Sequence, residues 1–163
     1  MTILKWLAIA IVALIVVAVC AGQAGLLQGT PPTDLGVHDG KLKPPSDTDN
    51  SVTSQAPLYP DHAQRQHADI APLALRGDGP ATMARIKALI EATANAKLIK
   101  SDANYLYAQY TTQLMKYVDD VEFWYDPAAG VIQVRSASRV GKGDWGVNRK
   151  RIEAVRAALA AAP

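Results

Sequence analysis

Hydrophobic residues are concentrated at the amino terminus of the chain. Residues 6–24 form an apolar run in which Gln23 is the only strongly polar side chain. As a helix, this run reaches roughly 28 Å, close to the ~30 Å thickness of the hydrocarbon layer of a bilayer. Lys5 precedes the run and the next basic residue is Lys41, so the positive-inside rule places the short N-terminus in the cytoplasm. The pattern predicts a single-pass anchor in the inner membrane that carries a periplasmic domain.

A cleaved secretory signal is the alternative interpretation of the same residues. Val19-Cys20-Ala21 and Gly22-Gln23-Ala24 both offer small residues at a cleavage site. The apolar run is longer than the roughly 7–15 residues typical of a signal peptide, which favours the anchor. Either interpretation exports the same domain, to the membrane surface or free into the periplasm.

Polar and apolar positions show no regular period in residues 26–66. This stretch contains six prolines and few large aliphatic side chains. Such a composition buries too little apolar surface to offset the entropy of ordering the chain. It predicts an extended, Pro-rich tether. The isolated apolar residues in Asp34–Val37 and Val52–Tyr59 leave open the alternative that the segment docks on the domain.

Regular periods begin at residue 67, and they divide the chain into an anchor (1–25), a Pro-rich segment (26–66) and a globular domain (67–163). Asp78-Gly79-Pro80 is typical of a helix start, and apolar residues then recur at helical spacing. Helices are expected over 80–95 and 147–161, and strands over 70–75, 97–100, 105–112, 117–125 and 131–138. The fold class is therefore α+β, an antiparallel sheet of about four to five strands with two helices on one face.

The last two strands form the clearest hairpin, because they flank a turn at 126–130 that contains Pro and ends in Gly. Pairing Phe123 with Val134 places the large apolar side chains of both strands on one face, whereas a slip of one residue mixes the two faces. In this register Glu122 lies opposite Arg135 as a cross-strand ion pair.

Charge is distributed unevenly, although the net charge is only +2. Residues 28–130 sum to −4 and residues 131–156 to +5. The basic part contains a Gly/Ser-rich loop that leads into a helix N-terminus, a combination that favours anions. It predicts a site for an anionic group or a protein partner, formed by Arg135, Ser138, Arg139, Lys142, Trp145, Asn148, Arg149 and Arg151. The alternative is that Arg139, Arg149 and Arg151 pair with nearby carboxylates and only stabilise the fold.

Catalytic motifs are scarce. The single cysteine excludes an internal disulfide and a Cys-based zinc site, and no GxSxG, HExxH or P-loop pattern occurs. No metal, cofactor or catalytic residue is predicted, and an exported domain is not expected to meet nucleic acid. Asp119, Asp120 and Glu122 form an alternative carboxylate cluster, which would support an envelope hydrolase if the three met in a concave pocket. A carrier of apolar ligands is a further alternative that needs a cavity between helices and sheet.

Four tracts, at 25–37, 118–124, 134–141 and 146–152, closely resemble the domain of unknown function family fourteen ninety-nine, found in bacterial envelope proteins and plastids. The resemblance implies no activity. Members often have Asn-Cys-Val-Ser-Ser where this chain has Asn50-Ser51-Val52-Thr53-Ser54, so a thiol role at that position is not available here. The family motif recognisable within residues 28–56 also favours docking over a free tether. The prediction is a membrane-anchored binding or assembly module whose partner is an envelope protein or an anionic lipid headgroup.

Overall fold

A computed structural model describes residues 2–161, and it contains an antiparallel sheet, two long helices packed on it and an apolar N-terminal helix. The helices are α1 (Thr2–Gln23), α2 (Arg65–Ala68), α3 (Gly79–Glu91) and α4 (Val147–Ala161), with a short 3-10 turn at Ala56–Leu58. The strands are β1 (Ser51–Thr53), β2 (Leu73–Ala74), β3 (Ala96–Ser101), β4 (Tyr105–Thr111), β5 (Val118–Asp126) and β6 (Val131–Ser138).

The strands follow the order β1-β6-β5-β4-β3, and β2 pairs with the other end of β6. Phe123 lies opposite Val134 and Glu122 lies opposite Arg135, so the predicted hairpin register is confirmed. The expected edge strand at 70–75 is shorter than predicted and is limited to β2. The residues just before β2 do not pair with a strand. The Ala71 and Pro72 carbonyls instead accept hydrogen bonds from the Arg156 side chain.

The two faces of the sheet differ in chemistry because side chains alternate along each strand. One face is apolar and packs against α3 and α4. Asp78 caps α3 as predicted, with Oδ1 accepting a hydrogen bond from the Ala81 N–H at 2.7 Å. The core between the helices and this face includes Ile86, Ile90, Leu106, Val121, Phe123, Ile132, Val134, Ile152 and Leu159, all almost fully buried.

The Pro-rich segment crosses the opposite, polar face of the sheet. We call residues 30–47 the strap. Leu42 and Pro45 of the strap are buried, and the chain then enters β1, which pairs with β6. The tether interpretation is therefore wrong for this part of the chain. Hydrogen bonds compensate for the small apolar surface that this segment buries. For example, Gln55 Oε1 accepts a hydrogen bond from the Leu42 N–H at 2.7 Å.

The N-terminal helix projects away from the domain. Residues 2–17 of α1 are exposed, and the helix is long and apolar enough to cross a membrane. Only its last turn contacts the domain, where Gly22 is buried against the backbone of Met115 and the Gln23 side-chain amide donates to the Leu114 carbonyl at 2.8 Å. The close approach requires glycine, since a Cβ at position 22 would lie 2.6 Å from the Met115 oxygen.

Candidate functional site

The polar face of the sheet presents charged side chains to the underside of the strap. Asp120 and Glu122 extend from β5, and Arg135 extends from the neighbouring β6. Tyr105 and Tyr107 extend from β4 on the other side of β5. All five share one face because residues two apart on a strand point the same way and the register places these positions side by side.

Glu122 is fully buried in this layer. Its Oε1 accepts hydrogen bonds from the Gly36 N–H and from the Tyr105 hydroxyl, both at 2.8 Å. Its Oε2 accepts no hydrogen bond from any described residue. Burial raises the pKa of this carboxyl above its ordinary range, and the nearby Arg135 charge offsets only part of that effect.

Arg135 is 4% exposed, and its guanidinium faces a cleft. Its Nη1 lies 3.8 Å from Glu122 Oε2, and its Nε donates to the Pro44 carbonyl at 3.3 Å. No hydrogen bond joins Nη1 or Nη2 to the described part of the chain. Burial lowers the pKa of Arg135, although an arginine stays charged at physiological pH. The cleft is therefore lined by an arginine whose terminal nitrogens reach the open space and have no acceptor in the described part of the chain.

Asp120 is neutralised by a second arginine at the same end of the cleft. Its two carboxylate oxygens accept from Arg139 Nε at 2.8 Å and Nη2 at 2.7 Å. The Tyr107 hydroxyl also donates to Asp120. The hydrogen bond to Asp120 raises the pKa of Arg139. Because this pair is bidentate and nearly buried, it is a fixed wall of the cleft and leaves no free charge.

The cleft has a volume of 630 Å³ and lies between the strap and the sheet. This size falls within the range of small-molecule sites, roughly 300–1,000 Å³. Lys43 adds a further cation at the wall, where it pairs with Asp34 at 2.7 Å. The polar groups of the lining include Lys43, Ser46, His62, Asp120, Arg135 and Arg139.

One protein family matches most of the chain. A family model for proteins of unknown function, DUF1499, matches residues 41–159. The chain belongs to the DUF1499 family. No curated protein matches it. The match begins within the strap, so the family region includes β1, the sheet and both packed helices.

The predicted anion site of this DUF1499 chain is divided among three places. Arg135 and Arg139 line the cleft, and Ser138 borders it although its hydroxyl accepts a hydrogen bond from Asn148. Lys142 and Trp145 lie in the exposed β6–α4 loop, with Trp145 95% exposed. Asn148, Arg149 and Arg151 belong to α4, on the opposite side of the sheet. A single site formed by all eight residues is therefore not present.

The three α4 residues make internal contacts. Arg151 contacts the Asp119 carboxylate at 2.5 Å and lies over the Tyr110 ring. Arg149 donates to the carbonyls of His67 and Asp69. The alternative, in which arginines pair with carboxylates and stabilise the fold, thus applies to Arg139 and Arg151. Arg149 contacts backbone carbonyls instead. The arginine nearest to Glu122 in the described ion pairs is Arg135.

The predicted carboxylate cluster is not formed either. Asp119 and Asp120 are adjacent on β5, so they point to opposite faces of the sheet and pair with Arg151 and Arg139 respectively. For a carrier of apolar ligands, the described residues form a cleft of 190 Å³ beside Tyr110 and Val155, which is below the roughly 300–1,000 Å³ of small-molecule sites. Within residues 2–161, no three His, Cys, Asp or Glu side chains are grouped to hold a metal ion.

Sequence reasoning missed the strap and β4 contributions to the site. Gly36 and Pro44 act through backbone groups, which leave no pattern in a sequence. Tyr105 and Tyr107 carried a usable signal, because their two-residue spacing places both hydroxyls on one face of a strand. Only the β4–β5 register, which the sequence pattern did not fix, sets Tyr105 and Tyr107 beside Glu122 and Asp120.

Proposed function

We propose that this chain is a membrane-anchored binding module that holds a small anionic group in the cleft beneath the strap. α1 anchors the protein in the inner membrane, and the domain lies on the periplasmic side because Lys5 is in the first turn of α1 and the next Lys or Arg along the chain is Lys41. The alternative is that α1 is cleaved and the domain is secreted. The apparent mass of the protein distinguishes the two, because the cleaved form lacks the mass of α1.

The observation that carries the binding proposal is the guanidinium of Arg135. Its two terminal nitrogens open onto the cleft and have no acceptor in the described part of the chain, and a carboxylate or phosphate supplies two acceptors in the geometry of the guanidinium fork. Glu122 does not fulfil this role, since its Oε2 lies 3.8 Å from Arg135 Nη1 and accepts no hydrogen bond from it. A ligand anion therefore improves the contacts of Arg135.

The test is a titration of the full chain in detergent with sulfate, whose charge does not change near neutral pH. We expect a saturable shift of the Arg135 Nε–Hε signal in nuclear magnetic resonance spectra. Glu122→Gln should tighten binding because it removes the competing carboxylate. The double variant E122Q/R135Q should lose binding while leaving no unpaired buried charge.

Arg149→Gln is the matched control, since it removes an arginine from the opposite side of the sheet. It should leave the affinity for sulfate unchanged. Binding lost in R149Q, or kept in E122Q/R135Q, contradicts the proposal. An assembly role, in which a partner protein supplies the anionic group, predicts that crosslinking in the native envelope recovers a partner whose contact depends on Arg135.

A further inference from the structure

We infer that the end of the sheet from which α1 emerges rests on the lipid surface, with Trp145 as its interfacial anchor. This inference rests on the anchoring part of the proposed function and is independent of the cleft. The position of α1 defines the surface. Its first residues contact nothing in the domain, and its last turn is fixed to the β4–β5 loop through Gly22 and Gln23.

The β6–α4 loop lies at this same end of the sheet. β4 ends and β5 begins there, and the antiparallel β6 ends there too, so the loops 112–117 and 139–146 are neighbours. The Arg139 N–H donates to the Val118 carbonyl at 3.1 Å and closes the gap between them. Gly29, which follows α1, packs so closely on Arg139 that a Cβ there would lie 2.7 Å from it.

Exposed hydrophobic side chains are concentrated at this end. Outside α1, seven large hydrophobic residues of the described chain are exposed. Two of them, Leu58 and Ile99, lie elsewhere, and the other five are Leu26, Leu114, Val140, Trp145 and Val147. A cluster of apolar groups around the exit of a membrane-length helix fits the interfacial region of a bilayer, where tryptophan is enriched.

Trp145 is held outward by the backbone. Its φ of 52° lies in the left-handed region, which is strained for a bulky residue, and its side chain is 95% exposed. The Asp144 carboxylate maintains the turn by accepting from the Gly146 N–H and the Asn148 N–H, both at 2.8 Å. An indole kept exposed at a conformational cost implies a partner that is absent from the domain itself.

The charges favour lipid as that partner. Lys116 and Lys142 lie in the two loops at the α1 end, where they can meet anionic headgroups, and the one carboxylate of these loops, Asp144, accepts hydrogen bonds from the Gly146 and Asn148 N–H groups. The turns at the far end of the sheet contain Asp102 and Asp126 instead. The domain is thus polarised along the direction in which α1 leaves it, with the basic and apolar end toward the membrane.

The experiment reconstitutes the full chain into phosphatidylcholine and phosphatidylglycerol vesicles, and it compares lipids with and without bromine near the headgroup. Emission of Trp145 is obtained as the difference between wild type and Trp145→Phe, which removes the constant signals of Trp6 and Trp124. We expect brominated lipid to abolish most of this emission and aqueous iodide to leave it largely unchanged.

The matched control places a tryptophan at the far end, as Ala129→Trp in the W145F background. Ala129 is exposed in the β5–β6 turn, and we expect its indole to be quenched by iodide and not by brominated lipid. Equal quenching of the two tryptophans overturns the inference and favours a protein partner for Trp145. Failure of the chain to float with vesicles overturns both the anchor and this inference, whereas lost sulfate binding affects only the cleft.

Discussion

Glu122 Oε2 and Arg135 Nη1 lie 3.8 Å apart in the layer between the sheet and the strap. At this separation the two charges attract each other, but they do not form a hydrogen bond. Each residue instead makes a hydrogen bond to the strap, where Glu122 accepts from the Gly36 N–H and Arg135 donates to the Pro44 carbonyl. The pair therefore fixes the strap, and Arg135 also lines the cleft that the strap covers.

Substitution of Arg135 and substitution of Glu122 should destabilise the fold to different extents. Arg135→Met leaves a buried carboxylate without its counter-charge, and we expect a loss of about 3–5 kcal/mol at neutral pH. Glu122→Gln retains an acceptor for Gly36 and Tyr105, so its cost should be about 1–2 kcal/mol. Glu122→Arg should be worse than Glu122→Gln, because it places two guanidinium groups side by side. Urea unfolding of the full chain in detergent measures all three.

The double variant E122Q/R135M provides the control for that comparison. It should be more stable than the sum of the single losses predicts, since no uncompensated charge remains. Additive losses would show that the charges of Glu122 and Arg135 do not interact across the 3.8 Å gap.

The stability of the protein should include a pH-dependent contribution from Glu122. Burial raises its folded pKa above the ordinary value of 4.5, so the folded state keeps a proton that the unfolded chain has released. This contribution is fully present below the unfolded pKa and is lost as the pH rises through the folded pKa. Asp34 acts in the opposite direction, because the hydrogen bond from Lys43 lowers its pKa.

The measurement that isolates Glu122 is the difference in unfolding free energy between wild type and E122Q, from about pH 4 to about pH 8. The difference should move in favour of the glutamine variant as the pH rises. Contributions of Asp34 and other carboxyls cancel in the subtraction. A difference that stays constant over this range would mean that Glu122 titrates alike in both states.

Asn148→Ala should destabilise the junction of α4 and the sheet by about 3 kcal/mol. Asn148 is fully buried, and its Nδ2 donates to the Asn50 carbonyl at 3.1 Å and to Ser138 Oγ at 3.0 Å. Its Oδ1 accepts from Ser136 and Arg151. Thermal unfolding checks the loss, and Ser138→Ala, which removes one partner only, should cost about 1 kcal/mol. Equal costs would mean that the other contacts of Asn148 contribute nothing.

Asp78→Ala should cost about 1 kcal/mol of stability through the start of α3. The Asp78 carboxylate accepts from the Ala81 N–H, and serine at position 78 can replace that acceptor. Denaturation should therefore rank wild type and D78S together, above D78A. Sulfate affinity in the cleft should be the same in all three, which separates this end of the fold from the proposed site.

Periodicity predicted the helices and the central strands because each of these elements buries one side in a common core. Phe123 and Val134 fix the hairpin register, since only one alignment buries both. The same alternation already implied that Asp119 lies on the opposite face from Asp120 and Glu122. The alternative of a carboxylate cluster is therefore inconsistent with the alternation of a strand, because neighbours in sequence lie on opposite faces of the sheet.

Docking of the strap has no comparable signal. Its contacts are made by backbone groups of Gly36 and Pro44 and by single apolar side chains such as Leu42, which lack a period. The surface that receives it consists of charged residues, which a sequence pattern assigns to solvent. Docking of such a segment can be predicted only when the polar face of the sheet is known, and that face forms only when β5 and β6 pair.

Pairing of β1 with β6 has a consequence for the order of folding. Asn50, just before β1, hydrogen-bonds to Ser138, which lies 88 positions later in the chain. Closure of so long a loop is slow, and local elements such as the β5–β6 hairpin form before it. We therefore expect the strap to be synthesised early but positioned late, which would keep Glu122 and Arg135 hydrated through most of folding. On this expectation, folding ends with the removal of water from a charged layer rather than with the collapse of a hydrophobic one.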